Sequence, residues 1–323
     1  MKVLVTGATG FVGTALLQRL SGEDGCAVRA SVRTAGASLA HGIERVVVPD
    51  VGPDSQWQEA LAGCDVVVHL AARVHVMSEK NADPLAEFRR INTYGTANLA
   101  RQAARSGVRR FVFVSSIKVN GEATAPGLAF MPDDRPDPQD AYSVSKHEAE
   151  VALRDLVATG CGCSSTACGG MEVVIVRPPL VYGPGVQGNV LFLLRAISSR
   201  ALLPLGAIHN QRSFIALDNL VDLLVACVHH PMAANQTFLA SDGHDLSTTE
   251  FVRRIASAMG KPARLLRVPS WLLQFGAKLV GKGAQADRLC GNLQVDISKA
   301  RELLGWVPPV NVDEGLRATV VGY

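Results

Sequence analysis

Tyr142 and Lys146 stand four residues apart in Tyr142-Ser-Val-Ser-Lys146, inside a stretch from Ala141 to Val157 whose pattern predicts an amphipathic helix. Residues at that spacing share a helix face, so a phenol and an ammonium project into one pocket. A free tyrosine, with a pKa of about 10, is a poor base at neutral pH, and a neighbouring cation lowers that value by stabilising the phenolate. Upstream, Phe111-Val-Phe-Val-Ser-Ser116 reads as a strand that carries the Ser116 hydroxyl to its carboxyl end. A hydroxyl there can hydrogen-bond a reacting oxygen. The expected chemistry is proton exchange at a hydroxyl or carbonyl oxygen, with Tyr142 as acid or base and Ser116 and Lys146 positioning and tuning it.

A second group precedes these in the chain. The strand-like Lys2 to Thr6 runs into Gly7-Ala-Thr9-Gly10-Phe11-Val12-Gly13, and a helical pattern covers Phe11 to Leu20. Glycines let the backbone approach a pyrophosphate closely, and the following helix N-terminus offers unpaired N–H donors and a favourable dipole. The expected ligand is a dinucleotide, whose oxidised nicotinamide would add positive charge beside Tyr142. NAD sites usually carry an acid about 20 residues on to hold the ribose. Here Val28 to Thr34 contains none, and the next acid is Glu44. The strand end offers Arg33, whose guanidinium suits a 2′-phosphate, the alternative being a stack on adenine. NADP is therefore the expected cofactor and NAD the alternative. Asp50 and Val51, after the third strand, are placed to touch the adenine edge, although an Asp there also serves as a turn residue.

These groups need a scaffold. Strands are predicted at Lys2 to Thr6, Ala27 to Val32, Arg45 to Val48, Val66 to Leu70, Phe111 to Ser115 and Val173 to Arg177, alternating with helices that include Leu85 to Ala104. Strands such as Val66-Val67-Val68, apolar at successive positions, must be covered on both faces. The fold class is α/β, a doubly wound parallel sheet (Rossmann fold) with a smaller C-terminal α/β substrate-binding part. After Pro178 the texture turns Pro/Gly-rich, which places a soft boundary between residues 1–178 and 179–323, with Arg212 to His230 packing back on the first part. Ser247-Thr-Thr-Glu250 predicts a capping box, and a helix from Asp296 to Leu304 ends at Gly305. Trp271, Leu272, Phe275 and Leu279, at helical spacing, read as core rather than as a membrane face.

Composition excludes several classes. Among 323 residues, 32 are basic and 29 acidic, a net charge of +3, with no long Lys/Arg run, so no nucleic-acid partner is expected. No apolar stretch is long enough to span a bilayer, and MKVLVTGATGFVG does not read as a secretory leader, so a soluble cytoplasmic protein with no membrane partner is expected. The seven cysteines are scattered and odd in number, which suits free thiols. Cys161, Cys163 and Cys168 in GCGCSSTACGG read as part of a small-residue insertion rather than a zinc site, and no metal is expected.

In combination, TGATGFVG, HLAA (His69 to Ala72), Asn92-Thr-Tyr-Gly-Thr-Ala-Asn98, FVFVSS, AYSVSK and RPPLVYGPG (Arg177 to Gly185) resemble the extended short-chain dehydrogenase/reductase family of nucleotide-sugar enzymes, from residue 1 to about 318. The resemblance implies a catalytic set of Ser116, Tyr142 and Lys146. It implies a cofactor bed of Gly7, Thr9, Gly10, Phe11, Val12, Gly13, Asp50, Val51, Leu70, Ala71, Ala72 and Pro179 together with Tyr142 and Lys146. Asn189 and Arg212 match substrate-contacting and diphosphate-binding residues, and Arg288 aligns loosely with a second phosphate arginine. Homodimers in the family form through helices matching Leu85 to Ala104 and Ala141 to Val157.

SSIKVNGE, RPPLVYGPGVQGN and LQVDISKARELLGWVPP are most similar to bacterial polysaccharide-biosynthesis enzymes that reduce UDP-4-keto-6-deoxy-N-acetylhexosamines. They are also similar to UDP-hexose 4-epimerases. The family's dehydratases carry an Asp-Glu pair where this chain has Ile117 and Lys118, so water elimination would lack its acid and base. The leading expectation is a UDP-sugar 4-keto reductase. The alternative is a 4-epimerase acting on UDP-glucose or UDP-N-acetylglucosamine, and the remote one a non-catalytic dinucleotide sensor on the same fold.

Overall fold

Valine runs that need cover on both faces obtain it from two helical layers. The computed structural model describes residues 1–74, 83–159, 170–279, 281, 283–321 and 323. The chain opens with β1 (Lys2–Thr6), α1 (Phe11–Ser21), β2 (Ala27–Val32), β3 (Glu44–Val47), α2 (Gln58–Leu61) and β4 (Val66–His69). It continues through α3 (Pro84–Phe88), a π-helical turn (Arg89–Gly95) and α4 (Thr96–Arg105) to β5 (Arg110–Val114). A short 3-10 turn (Ile117–Val119), α5 (Ala141–Ala158), β6 (Glu172–Arg177), β7 (Leu180–Tyr182), α6 (Gly188–Ser198), β8 (Phe214–Ala216), α7 (Leu217–His229) and β9 (Thr237–Leu239) follow. The described chain ends with α8 (Thr248–Ala258), α9 (Ser270–Leu279), α10 (Gly283–Cys290), α11 (Ser298–Leu304) and α12 (Val312–Val320).

Seven strands form one sheet in the order β3-β2-β1-β4-β5-β6-β9, and every pairing in it is parallel. The chain winds outward in one direction from β1 through β2 and in the other through β4, so a crevice opens at the carboxyl ends of β1 and β4. On one face α1 and α7 bury Leu16, Leu20, Leu220 and Leu224 against Val3, Val5, Val66 and Val68. On the other, Trp57, Leu99, Ala103, Ala149 and Leu153 cover Leu4, Val67, Phe111 and Phe113. Each fully buried Val, Leu or Phe is worth roughly 1.5–3 kcal/mol against exposure. A third core joins Tyr182, Phe214, Phe251, Ile255 and Leu316 under β7, β8, α6, α8 and α12.

Several details differ from the sequence reading. The sheet gains β9, which is three residues long and too short to show a period. The helix expected from Leu85 to Ala104 is interrupted by the π-helical turn, which leaves no mark in apolar spacing. Half of the Ser247 capping box is present: the Ser247 hydroxyl accepts from the Glu250 amide, while the Glu250 carboxylate pairs with Arg254. The last predicted helix starts at Ser298, with Asp296 accepting from the Ser298 amide, and ends at Gly305 in the left-handed region (φ 60°). The largest correction concerns α9. It has no buried residue, and Trp271, Leu272, Phe275 and Leu279 are 67%, 44%, 58% and 74% exposed instead of facing a core. No described helix is long and apolar enough to cross a membrane. The Cys161, Cys163 and Cys168 segment lies outside the described residues, among which no cluster of His, Cys, Asp or Glu could hold a metal.

Candidate active site

The glycine loop leaves β1 at the crevice. Gly7 takes φ +68°, and a Cβ there would lie 2.7 Å from the Ala71 amide nitrogen, so only glycine lets the β1 and β4 ends come this close. A Cβ on Gly13 would sit 2.1 Å from the Gly7 carbonyl oxygen, which requires glycine for the helix to start against the loop. Gly10 is the N-cap of α1 and supplies no side-chain acceptor. The first-turn N–H groups at Phe11, Val12 and Gly13 therefore face the crevice with the helix dipole behind them, a cradle that fits a pyrophosphate. Thr9 is exposed beside them, and Leu70, Ala71 and Ala72 line the opposite lip, part-open.

Arg33 follows β2, exposed and with no hydrogen bond or ion pair among the described residues. Asp50 lies beyond β3 and is held by Arg90 at 2.6 Å, which draws its carboxyl below the usual range. Val51 is half-buried, and its carbonyl packs so tightly on the π-helical turn that a Cβ on Gly95 would lie 2.7 Å away.

At the other end of the crevice, α5 begins with a full capping box between Asp140 and Ser143. That cap fixes the first turn, which carries Tyr142. The Tyr142 phenol lies close enough to the Ser116 hydroxyl, just beyond β5, to feel it, and its ring meets Phe88 edge-on at 6.1 Å. Burial, reinforced by the Asp140 carboxylate and opposed by the Ser116 hydroxyl, pushes Tyr142 up to about 12. Lys146 is 2% exposed, donates to the Val114 carbonyl at 2.7 Å and lies 4.2 Å over the Phe113 ring. Burial lowers it to about 7, with Glu150 opposing. The structure thus brings Ser116, Tyr142 and Lys146 to one sheet edge. Lys146 contacts the Val114 carbonyl and the Phe113 ring, and at Tyr142 burial outweighs the Ser116 hydroxyl in setting the direction of the shift.

The mouth of the crevice is charged. Lys118 pairs with Asp140 at 2.7 Å and Glu122 at 3.3 Å, and Arg288 on α10 pairs with Glu122 at 2.7 Å and Asp140 at 3.4 Å. Burial would raise Asp140, but the hydrogen bonds from Lys118 and Ser143 prevail and hold it at about 2. Arg212 donates to the carbonyls of Arg288 and Gly291 at 2.6 and 2.9 Å, and no carboxylate pairs with it among the described residues. Its half-buried guanidinium is lowered by desolvation, with only Glu122 opposing. Pro179 is buried after β6, and the neighbouring Pro178 carbonyl accepts from the Ile117 amide. Asn189 is exposed in the first turn of α6, and no contact ties it to the other predicted site residues.

Three supporting features escaped the sequence reading. Asp140 is the N-cap of α5, three residues before Ser143, a signal the sequence reading did not use, and its ties to Lys118 and Arg288 leave no mark in spacing. His69, fully buried, bridges the Thr6 hydroxyl at 2.6 Å and the Thr96 hydroxyl at 3.0 Å beneath the glycine loop. Glu150, one turn beyond Lys146 and fully buried, binds Arg177, Arg154 and the Ser115 hydroxyl, anchoring the strand end that carries Ser116.

A crevice with a pyrophosphate cradle at one end and a phenol, hydroxyl and ammonium at the other can pair hydride transfer with proton exchange. The model of the NAD dependent epimerase/dehydratase family matches residues 3–239. The chain is 48% identical over 328 residues to a UDP-glucose 4-epimerase of Vibrio cholerae, covering 100% of this chain and 95% of that protein. It is 26% identical over 334 residues to N-acetyl-alpha-D-glucosaminyl-diphospho-ditrans,octacis-undecaprenol 4-epimerase of Escherichia coli O157:H7, covering 99% and 94%. The UDP-glucuronic acid 4-epimerase of Bacillus cereus, solved in complex with NAD, shares the fold at a TM-score of 0.77 and 22% identity, covering 99% and 95%. The family match takes in well over half of the chain and the Vibrio relative aligns along all of it, so the protein belongs to the NAD dependent epimerase/dehydratase family of enzymes.

Proposed function

We propose that this enzyme is a UDP-hexose 4-epimerase that keeps its NAD bound. The relatives stand nearer to this reading than to the 4-keto reductase that the sequence put first. The observation that carries it is the gathering of Ser116, Tyr142 and Lys146 at the carboxyl edge of β5, in a chain so similar to the Vibrio epimerase.

The Gly7 to Gly13 cradle would hold NAD, which when bound would supply a reversible hydride acceptor for the sugar's C4. Tyr142 as phenolate takes the proton of the 4-hydroxyl as the C4–H bond breaks, leaving a 4-keto sugar. Once the sugar has turned over, Tyr142 returns that proton to the same oxygen as the C4–H bond re-forms on the other face. Ser116 orients the oxygen, and Lys146 stabilises the phenolate stage. Arg212 holds the diphosphate, with Arg288 joining it when released from Glu122 and Asp140, and Asn189 contacts the substrate from α6. Ile117 and Lys118 stand where the dehydratases carry their Asp-Glu pair, and Lys118 is ion-paired with Asp140 and Glu122. The working unit is a cytoplasmic homodimer formed through the helices around Tyr94 and Val151, both exposed.

One observation favours a second reading. Arg33 stands exposed at the end of β2 with no acid beside it, which suits a 2′-phosphate and hence an NADPH-dependent 4-keto reductase that exchanges cofactor each turnover. Two incubations decide: UDP-glucose without added nucleotide, and UDP-4-keto-6-deoxy-N-acetylglucosamine with NADPH. The epimerase reading expects UDP-galactose in the first and no stoichiometric loss of NADPH in the second, and the reverse pattern selects the reductase.

A further inference from the structure

We propose that α9 is a peripheral docking helix for the surface of an anionic lipid bilayer. Its outward face presents Trp271, Leu272, Phe275 and Leu279, at 67%, 44%, 58% and 74% exposure, and Leu266 just ahead of the helix is 50% exposed. Large apolar side chains at i, i+1, i+4 and i+8 form one stripe on a helix. The opposite face holds the helix to the protein: Leu273 packs on the third core, and the Gln274 amide donates to Asp287 on α10 at 2.9 Å. The stripe is therefore not a core face displaced by accident, because the helix already has an inner side.

Charge identifies the occupant. From Phe251 to Ala286 the sequence contains no Asp or Glu. Arg264, Arg267 and Lys278 in this stretch are exposed, and none is ion-paired among the described residues. A second copy of this chain would set these cations against one another, whereas a stretch free of acids and carrying unpaired cations complements a surface of uniformly negative charge. Trp and Phe beside Leu, bordered by Lys and Arg, is the composition of a helix lying in the headgroup region. The helix is ten residues long, so it lies on the bilayer and does not cross it. Through α10, which carries Arg288, the docked helix would bring the mouth of the crevice to the membrane.

The test is flotation of the full-length protein with phosphatidylcholine vesicles and with vesicles containing an equal share of phosphatidylglycerol, at low and high salt. The expected result is flotation with the anionic vesicles only, weakened by salt. Trp57 and Trp306 are buried at 0% and 4%, so a blue shift of tryptophan emission on vesicle addition reports Trp271. The double substitution Trp271→Ser, Phe275→Ser should reduce vesicle binding by at least about tenfold with an unchanged circular-dichroism spectrum and unchanged basal turnover. Absence of flotation with anionic vesicles, equal flotation of the double variant, or an oligomer in lipid-free buffer that this variant dissociates would each overturn the proposal.

Discussion

At the scale of single residues, the site is set by which form of each group burial permits. Tyr142, pushed up to about 12, and Lys146, brought down to about 7, are both biased toward their neutral forms. The neighbouring Ser116 hydroxyl opposes that bias at Tyr142, and it acts on the oxygen that must trade the proton. Tyr142→Phe removes that oxygen and nothing else of the ring's packing on Phe88. It should lower turnover by on the order of 10²–10⁴ while leaving the dissociation constant for NAD unchanged, as measured by titration of cofactor fluorescence. A variant that keeps most of its turnover removes Tyr142 from the chemistry. The trio itself was legible because the glycine loop, strand-end serine and Tyr/Lys pair follow one another in order. Its electrostatics were not, because the sequence does not show that the Val114 carbonyl and the Phe113 ring engage the ammonium.

At the scale of elements, the loop between β1 and α1 and the helix α5 bring the two ends of the crevice together. The helix from α3 to α4 braces both. Asn92 and Thr93, in its π-helical turn, bond the Ser145 hydroxyl and carbonyl at 3.0 Å each, while Asn98 donates to the Gly52 and Ser55 carbonyls beside Asp50. The strictest requirement lies at Gly13. Gly13→Ala forces a Cβ into the Gly7 carbonyl, an overpacking worth roughly 1–3 kcal/mol, so NAD affinity should fall by about tenfold or more in a fluorescence titration. Unchanged affinity in a folded variant would show that the cradle is not the pyrophosphate site. Long periodic segments such as α1 and α5 were readable to within a residue or two, because eleven and eighteen residues give the period room to show. The three-residue strands β7, β8 and β9 were not. In α9, spacing revealed the helix and the stripe but not which side faced inward, since that depends on what lies beneath.

At the scale of the whole molecule, buried polar groups tie the layers together and make stability depend on pH. Arg177 and Glu150 form a buried pair at 2.5 Å that joins β6 to α5, and Arg110 reaches the carbonyls at the end of α7. His69 links β4 to β1 and α4, and burial, with Lys146 adding to it, holds its pKa down to about 3. The unfolded chain takes up this proton near 6.5 and the folded one only near 3, so the unfolded state binds more protons in between. The contribution is whole above about pH 6.5 and is lost as pH falls toward 3. Thermal melts from pH 7 to pH 5 should therefore show a falling Tm, and His69→Asn should flatten the slope. Equal slopes in the two proteins would contradict a neutral buried imidazole.

The most direct test of the account follows the hydrogen at C4. UDP-glucose deuterated at that carbon, incubated with the enzyme and no added nucleotide, should give UDP-galactose that retains the deuterium at C4, because the hydride leaves and returns within one crevice while Tyr142 exchanges only the proton on oxygen. UDP-galactose that has lost the label to solvent, or no interconversion by enzyme loaded with NAD, would contradict it.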